Sequence, residues 1–421
     1  MSSTNHQPTA TRLDKFCLYT AAAFPCALIT SNSALEAIIA LVGISWLGGL
    51  IFQRRNPFPD LLKDPLVLPW LAWYGAVVLS LLINGPGSKG WGHDLILFRQ
   101  LLFMTALLDI SRRMPIARTL MIGLAAGLAW VAINLTLSYT IGHDLIGNSL
   151  LHYQKKKTSL IGPITGLTAY AGPLFCCFAL LRKQLNTRLR ILAMAVGLLS
   201  FFLLFYSGVR TTIIASFAGL AVGLLWQFGR RFSIKSLTIT GIACVLLLGI
   251  AIQNIQIAQI NKVVNLASMY DRVKVWQVST AMWQDSPWFG IGVSSFRETY
   301  KEKAATFPQD DVIMPNGTIF SWHKNTTHAH NTILMLLVCT GIPGLLTFLW
   351  LFGRLAINSI RVQNQHPEVI ALLTVFILIA LVGYNIYHSW YNALFAYLAA
   401  LAGTLFGPAG GSGDLEKLSH D

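Results

Sequence analysis

Long apolar stretches follow one another through almost the whole chain, and they constrain its fold more than any other feature. A helix needs about 20 mostly apolar residues to cross a bilayer, and it satisfies its own backbone hydrogen bonds there. With 54% hydrophobic and only 11% charged residues, the chain lacks the composition of a soluble protein. We therefore predict an all-α polytopic membrane protein of about twelve transmembrane helices. The predicted spans are 16–32, 34–53, 66–84, 95–111, 119–142, 161–181, 189–207, 211–229, 236–255, 331–353, 369–388 and 392–407.

Basic residues are concentrated in alternate connections between these stretches. By the positive-inside rule, these connections face the cytoplasm, so we expect both chain termini there. This distribution accounts for most of the net charge of +14, so we expect membrane lipids and no nucleic acid as partners. Because the first apolar run lacks a small-residue cleavage site, we expect it to be a retained span. The basic residues of these connections are Arg54, Arg55, Lys63, Arg112, Arg113, Arg118, Arg182, Lys183, Arg188, Arg190, Arg230, Arg231, Lys235, Arg354 and Arg361.

One outer connection, residues 256–330, is far longer than the others. Connections of this length are usually either functional or disordered, and this one is not of low complexity. We divide the chain accordingly into helices 1–9 (1–255), the large outer loop (256–330), and helices 10–12 with a cytoplasmic tail (331–421).

The large loop should itself contain an amphipathic helix. Trp276 and Trp283 are seven residues apart, which puts them on the same helical face as Arg272. We expect this helix at the outer surface of the membrane, ending near Asp285 before Pro287.

Two arginines on the predicted outer side are candidates for binding an anion. Arg210 lies in a short connection between two apolar helices, and its guanidinium offers a fork of donors that suits phosphate. The alternative role of Arg210 is to extend its side chain to the lipid headgroups. Arg272 precedes Trp276 by four residues, and stacking on that ring is its alternative.

Two further cationic features are weaker candidates for substrate binding. Arg99 lies within the fourth apolar run, where a charge usually faces a partner or a wet cavity, although it is close enough to the outer end to reach the surface. The run Lys155, Lys156 and Lys157 falls in an outer loop, where cations are disfavoured unless they hold an anion. A solvated charge run explains it equally well.

A histidine pair stands at the start of the tenth apolar stretch, in "THAHNTILMLL". The positive end of the helix dipole should keep His330 neutral and therefore able to accept a proton as a general base. His328 or Asn331 could fix its tautomer or contact a substrate; capping of the helix is the alternative. A metal site would need more ligands than this segment offers, so we predict none.

Four motifs occur in order and are separated by apolar spans: "SGVRTTIIAS", "DRVKVW", "SPWFGIGVSSF" and "THAHNTILMLLVCTGIPG". In combination they resemble the O-antigen ligase and polymerase superfamily of bacterial inner membranes, and its ligases most of all. The resemblance covers the second half of the chain by motif and the whole chain by topology.

This resemblance implies a glycosyltransferase of the GT-C type that works in the periplasm without a metal ion or other cofactor. The enzyme would move a polysaccharide from undecaprenyl pyrophosphate to a sugar of lipid A-core, with inversion at the anomeric carbon. His330 corresponds to the family's essential histidine, and Arg210 and Arg272 to its two essential arginines, which would hold the pyrophosphate.

Two other functions remain open from the sequence. An O-antigen polymerase uses the same donor, but polymerases often have an arginine separated by ten residues from a glycine in two outer loops. The corresponding positions after Arg272 and Arg297 are Trp283 and Pro308, so that pattern is missing here. A transporter of lipid-linked glycans is the second alternative, although its charges should lie near the bilayer midplane.

Overall fold

The computed structural model describes residues 10–87, 90–145, 161–182, 185–228, 266–309, 311–313, 319–361 and 366–406. These residues are mostly helical, which confirms the all-α polytopic class. The helices before the large loop are α1 Arg12–Ala22, α2 Phe24–Thr30, α3 Asn32–Phe52, α4 Phe58–Leu61, α5 Val67–Asn84, α6 Trp91–Leu95, α7 Phe98–Ser111, α8 Ala117–Thr140, α9 Ile161–Leu181, α10 Thr187–Ser207 and α11 Arg210–Phe228.

The second part of the chain begins in the large outer loop. Its elements are α12 Leu266–Asp285, α13 Phe296–Ala305, β1 Asp311–Ile313, β2 Ile319–Ser321, α14 Thr332–Arg361, α15 Pro367–Val382 and α16 Ser389–Phe406. The strands β1 and β2 pair in antiparallel fashion. The sequence analysis did not predict this hairpin, because strands of three residues are too short to show an alternating pattern.

Six helices of the described residues are long and apolar enough to cross a membrane: α3, α5, α8, α9, α10 and α14. A seventh span results if α1 and α2, which meet at an angle of 40°, count as one broken helix. Pro25 lies in the first turn of α2, where its missing N–H costs nothing. The ninth predicted span, 236–255, lies outside the described residues, and the total of twelve stays a prediction.

The helices pack into one bundle around a continuous apolar core. Within it α9 contacts α10, α11 and α15, while α14 packs along α5 and α16 along α7. Two basic residues of the predicted cytoplasmic connections serve this packing. Arg113 donates to Asp14 of α1 (2.6 Å) and to Asp109 (2.9 Å), and Arg55 pairs with the same Asp109. Asp14 and Asp109 therefore compensate the charges of these two arginines inside the protein. The same arginines also belong to the basic excess from which their connections were predicted to be cytoplasmic.

Helix α14 is broken at Gly341, although the sequence predicted one continuous span there. Gly341 has a left-handed φ of 67°, which interrupts the ladder of helical hydrogen bonds. A segment of the large loop supplies the missing donors: Ile291 N–H donates to Val338 O (2.9 Å) and Gly292 N–H to Cys339 O (3.0 Å). The large loop is thus anchored to the body of α14, close to the candidate site.

Candidate active site

The two histidines of interest lie in the segment 322–331, which connects β2 to α14 and is held at both ends. Near its start, Asp271 of α12 accepts hydrogen bonds from the backbone N–H of His323 (2.7 Å). At its end, the Thr332 hydroxyl donates to the carbonyl of Tyr384, in the connection between α15 and α16 (2.9 Å). This histidine segment therefore joins the large loop to the last two helices.

His328 and His330 face each other within this segment, with ring centroids 4.1 Å apart. His330 adopts a left-handed φ of 51°, a conformation that a residue other than glycine rarely takes. Ala329 between them is fully buried. Strained backbone of this kind costs about 1–3 kcal/mol and is concentrated at functional sites.

Asn331 follows the pair and caps α14. Its side-chain oxygen accepts from Leu334 N–H (3.1 Å), and its carbonyl accepts from Met335 N–H (2.9 Å). The oxygen that was a candidate for contacting substrate or fixing the His330 tautomer is therefore engaged with the helix. His330 lies just before the start of α14, as the sequence predicted.

The charges around the pair keep both imidazoles neutral. Burial lowers the pKa of His330 below its ordinary value, and the positive charge of Arg272 lowers it further, while Asp271 acts in the opposite direction. Burial, His330, His388 and Arg272 together lower the pKa of His328 to about 3. The expected neutrality of His330 thus arises mainly from burial and Arg272, whereas the sequence argument had assigned it to the helix dipole.

Arg272 lies close enough to the histidines for its charge to act on both rings. It is half-buried on α12, one residue after Asp271. Asp271 also lies 3.1 Å from the Nδ1 of His323. One turn of α12 thus carries the cation beside His330 and the carboxylate that fixes the start of the histidine segment.

Arg210 is the first residue of α11 and is half-buried. It follows Gly208, whose left-handed φ of 64° ends α10. Helices α11 and α15 run antiparallel, because Gly219 approaches Val375 while Gly223 approaches Pro367. Arg210 consequently lies at the end of the bundle where α15 leads to Tyr384 and the histidine segment. Whether it enters the same cavity as His330 stays a prediction.

The predicted helix of the large loop is α12, and it ends at Asp285 as expected. Trp276 and Trp283 are half-buried. Their indole N–H groups and the hydroxyl of Ser279 are buried and have no hydrogen-bond partner among the described residues. These three side chains continue the face of α12 that begins with Arg272.

Arg99, a weaker candidate, is the second residue of α7 and forms an ion pair. Its guanidinium donates to Glu36 of α3 (2.5 Å) and to the hydroxyl of Ser389 at the start of α16 (2.9 Å). Ser389 in turn donates to Glu36 (2.6 Å). This triad links three helices, which gives Arg99 a structural role whatever it contributes to binding. Lys155, Lys156 and Lys157 lie outside the described residues.

His388, which was not predicted from the sequence, acts electrostatically on His328. It follows α15 and is exposed, in the motif "GYNIYHSW". His388 could have been identified as a histidine at the junction of two apolar helices on the predicted outer side. Among the described residues, no group of three or more His, Cys, Asp or Glu side chains is placed to hold a metal ion.

Comparison with protein families gives a match over residues 193–349, to the family described as O-antigen ligase. Residues 193–349 of the chain are thus similar to the O-antigen ligase family. This region contains Arg210, Arg272, His328 and His330, whereas His388 lies beyond it. No curated protein matches the chain significantly. The six long apolar helices of the described residues indicate a multi-pass membrane protein, and the family match supports an enzymatic role.

Proposed function

We propose that this chain, which matches the O-antigen ligase family over residues 193–349, transfers a polysaccharide from undecaprenyl pyrophosphate to a sugar hydroxyl of lipid A-core. The reaction takes place on the periplasmic side of the bacterial inner membrane, during lipopolysaccharide biosynthesis, with both chain termini in the cytoplasm. The observation that carries the proposal is the pairing of a neutral, half-buried histidine with an arginine inside the region that matches the family.

His330 is the general base in this proposal. Its lowered pKa leaves the ring unprotonated at neutral pH, so it can accept the proton of the acceptor hydroxyl. The hydroxyl oxygen forms a bond to the anomeric carbon while the bond from that carbon to the pyrophosphate oxygen breaks. Because the oxygen attacks from the face opposite the leaving group, the configuration at the anomeric carbon inverts.

Arg272 and Arg210 bind the pyrophosphate of the donor. Negative charge on the pyrophosphate increases as the anomeric bond breaks, so fixed guanidinium groups stabilise the transition state more than the bound donor. Arginine suits this role because its planar fork of donors matches phosphate oxygens. The charge of Arg272 acts on both histidines of the pair, which favours a leaving group next to the base.

The remaining candidates have supporting roles in the proposal. His328 orients the ring of His330. It is not the base itself, because its pKa of about 3 makes it too weak a base to accept a proton at neutral pH. Trp276 contacts the donor's lipid or sugars from the face of α12 that carries Arg272. Asn331 and Arg99 contact substrate only in addition to their structural contacts with the protein. The run of Lys155, Lys156 and Lys157 would add positive charge for the donor.

Purified full-length protein, supplied with lipid-linked O-antigen and lipid A-core, tests this proposal directly. We expect the polysaccharide to be joined to lipid A-core, as seen by a mobility shift on a gel and by mass spectrometry. Donor without lipid A-core is the matched control. Longer lipid-linked chains formed from the donor alone would identify a polymerase, and movement of the donor between leaflets without a new bond would identify a transporter.

A further inference from the structure

The connection between α15 and α16, residues 383–388, carries an exposed histidine to which the proposed mechanism gives no role. The loop is tightly folded: Asn385 accepts hydrogen bonds from Tyr387 N–H at its side chain (2.9 Å) and from His388 N–H at its carbonyl (3.0 Å). Tyr387 is buried, whereas His388 is exposed. The imidazole lies beside the buried ring of Trp390, with centroids 5.8 Å apart. The loop thus presents this imidazole outward from a fixed backbone.

This loop lies at the opposite end of the histidine segment from Asp271. Thr332, which follows the segment, donates to Tyr384 O in the loop (2.9 Å), while Asp271 binds His323 at its start. Arg272, next to Asp271 in α12, therefore lies toward one end of the segment and the loop lies at the other. His388 is also close enough to the pair to act electrostatically on His328.

An inverting transfer needs two sides to its site, since the incoming hydroxyl and the leaving group approach the anomeric carbon from opposite faces. Arg272 marks the side of the pyrophosphate in the proposed function. The acceptor then enters from the other end of the histidine segment, where Thr332 meets the 383–388 loop. A neutral imidazole has one donor and one acceptor nitrogen, and a sugar hydroxyl can satisfy either of them.

We propose that His388 is a binding residue for the acceptor, and that its imidazole hydrogen-bonds a hydroxyl group of the lipid A-core sugar next to the one that reacts. The inference rests on the proposed function and assigns the acceptor's sugar to a definite part of the site. It concerns a residue outside the region that matches the family.

Steady-state rates of the purified full-length His388→Ala variant test the inference. Loss of one hydrogen bond between uncharged groups corresponds to about a three- to tenfold weaker interaction. We therefore expect the KM for lipid A-core to rise by about that factor. The KM for the lipid-linked donor and kcat should stay close to their wild-type values. His388→Asn should recover part of the loss, because an amide can also hydrogen-bond a hydroxyl. His143→Ala is the matched control, since His143 is also exposed and its Nδ1 lies 3.1 Å from the carbonyl of Asp144.

An unchanged KM for lipid A-core in His388→Ala would overturn the inference, and so would an equal rise in both KM values. A fall in kcat alone would also overturn it, because it would point to proton transfer or to loss of structure. Binding of lipid A-core without donor separates the inference from the proposed function. Wild-type protein that binds lipid A-core but joins nothing to it contradicts the ligase proposal, while weaker binding by His388→Ala still supports the binding role. Wild-type protein that neither binds nor modifies lipid A-core overturns both.

Discussion

At the scale of residues, the site depends on how a few charges are placed around two neutral imidazoles. His330 is neutral because burial and Arg272 disfavour its protonated form, and Asp271 partly opposes them. In the proposed mechanism Arg272 thus has two effects. It provides positive charge for a phosphate ligand, and it keeps the neighbouring base unprotonated.

Replacing the proposed base gives the first prediction. His330→Ala should lower kcat by about 10²–10⁴-fold, the usual contribution of a general base, while the protein still accumulates folded in the membrane. His328→Ala should cost less, because His328 orients the base and does not accept the proton. Initial rates and size-exclusion profiles in detergent measure both effects. Wild-type turnover by His330→Ala would rule out the general-base role.

Exchanging each arginine for lysine separates charge from geometry. Arg210→Lys and Arg272→Lys keep the positive charge but lose the two-pronged contact with phosphate. We expect each to lower kcat/KM by about 10- to 100-fold, consistent with losing a hydrogen bond to a charged group. Arg297→Lys is a control on the exposed surface of α13, where the guanidinium contacts Asn325. Full activity of both site variants would mean that the two arginines contribute only to membrane topology or to helix packing.

The charge of Asp271 should shift the pH dependence of the reaction. Asp271 raises the pKa of His330, so Asp271→Asn should lower that pKa further. The reaction needs His330 unprotonated and therefore fails as pH falls through its pKa. The acidic limb of kcat/KM should lie below the ordinary histidine value in the wild type and move to still lower pH in Asp271→Asn. The amide oxygen can still accept from His323 N–H, which limits structural change.

Asp285→Asn serves as the control for this pH profile. Asp285 lies on the same helix, is exposed, and pairs with Lys303 at 2.6 Å. Its variant should leave the acidic limb where it is in the wild type. A limb that moves to higher pH in Asp271→Asn, or that moves equally in both variants, would contradict the assignment of His330 as the titrating base.

At the scale of elements, the break in α14 and the loop segment that contacts it form one unit. Carbonyl groups freed at Val338 and Cys339 accept from Ile291 and Gly292 of the large loop, and Ser80 of α5 also donates to Cys339 O (2.8 Å). Unpaired backbone groups inside an apolar bundle would be costly, so these contacts stabilise both partners. They also hold the loop that carries Arg272 in register with the helix that follows His330.

Alanine at Gly341 should disrupt this unit. Its Cβ would lie 2.1 Å from the carbonyl oxygen of Trp288, and the left-handed backbone would itself cost about 1–3 kcal/mol. We expect a lower thermal midpoint in detergent and reduced activity. Gly353→Ala in the same helix is the matched control, because its Cβ meets nothing within 4 Å and alanine is the better helix former. Equal midpoints for the two variants would contradict the anchoring role of the break.

At the scale of the whole molecule, the proposed mechanism gives cationic side chains the place that a metal ion has in many pyrophosphate transferases. The chain has 31 Lys and Arg against 17 Asp and Glu. The acids near the site are engaged elsewhere, since Asp271 binds the His323 backbone and Asp285 pairs with Lys303. The proposed leaving group is therefore neutralised by arginine.

A chelator tests this mechanism. EDTA should leave the rate of the purified ligation reaction unchanged, because arginine charge does not depend on a divalent ion. The control adds excess magnesium to the chelated reaction, which should change nothing. Complete loss of activity with EDTA, restored by magnesium or manganese, would overturn the arginine mechanism and direct attention to Asp271 and Asp285 as metal ligands.

The sequence by itself determined the membrane class, the position of most helices and the residue types of the site. Apolar length alone specifies a spanning helix, and the charges that depart from this pattern are few enough to single out Arg210, Arg272 and His330. The site's central pair could be predicted because it lies in motifs that are short and contiguous in the chain.

Only the tertiary structure decided which of these residues act on one another. Contacts between distant segments have no local pattern: Asp271 binds His323, and the loop that carries His388 meets the end of the histidine segment through Thr332 and Tyr384. The break at Gly341 was likewise invisible, because glycine and proline are tolerated in continuous membrane helices as well. The cause of the low His330 pKa is also tertiary, since burial and the charge of Arg272 depend on how α12 packs against the start of α14.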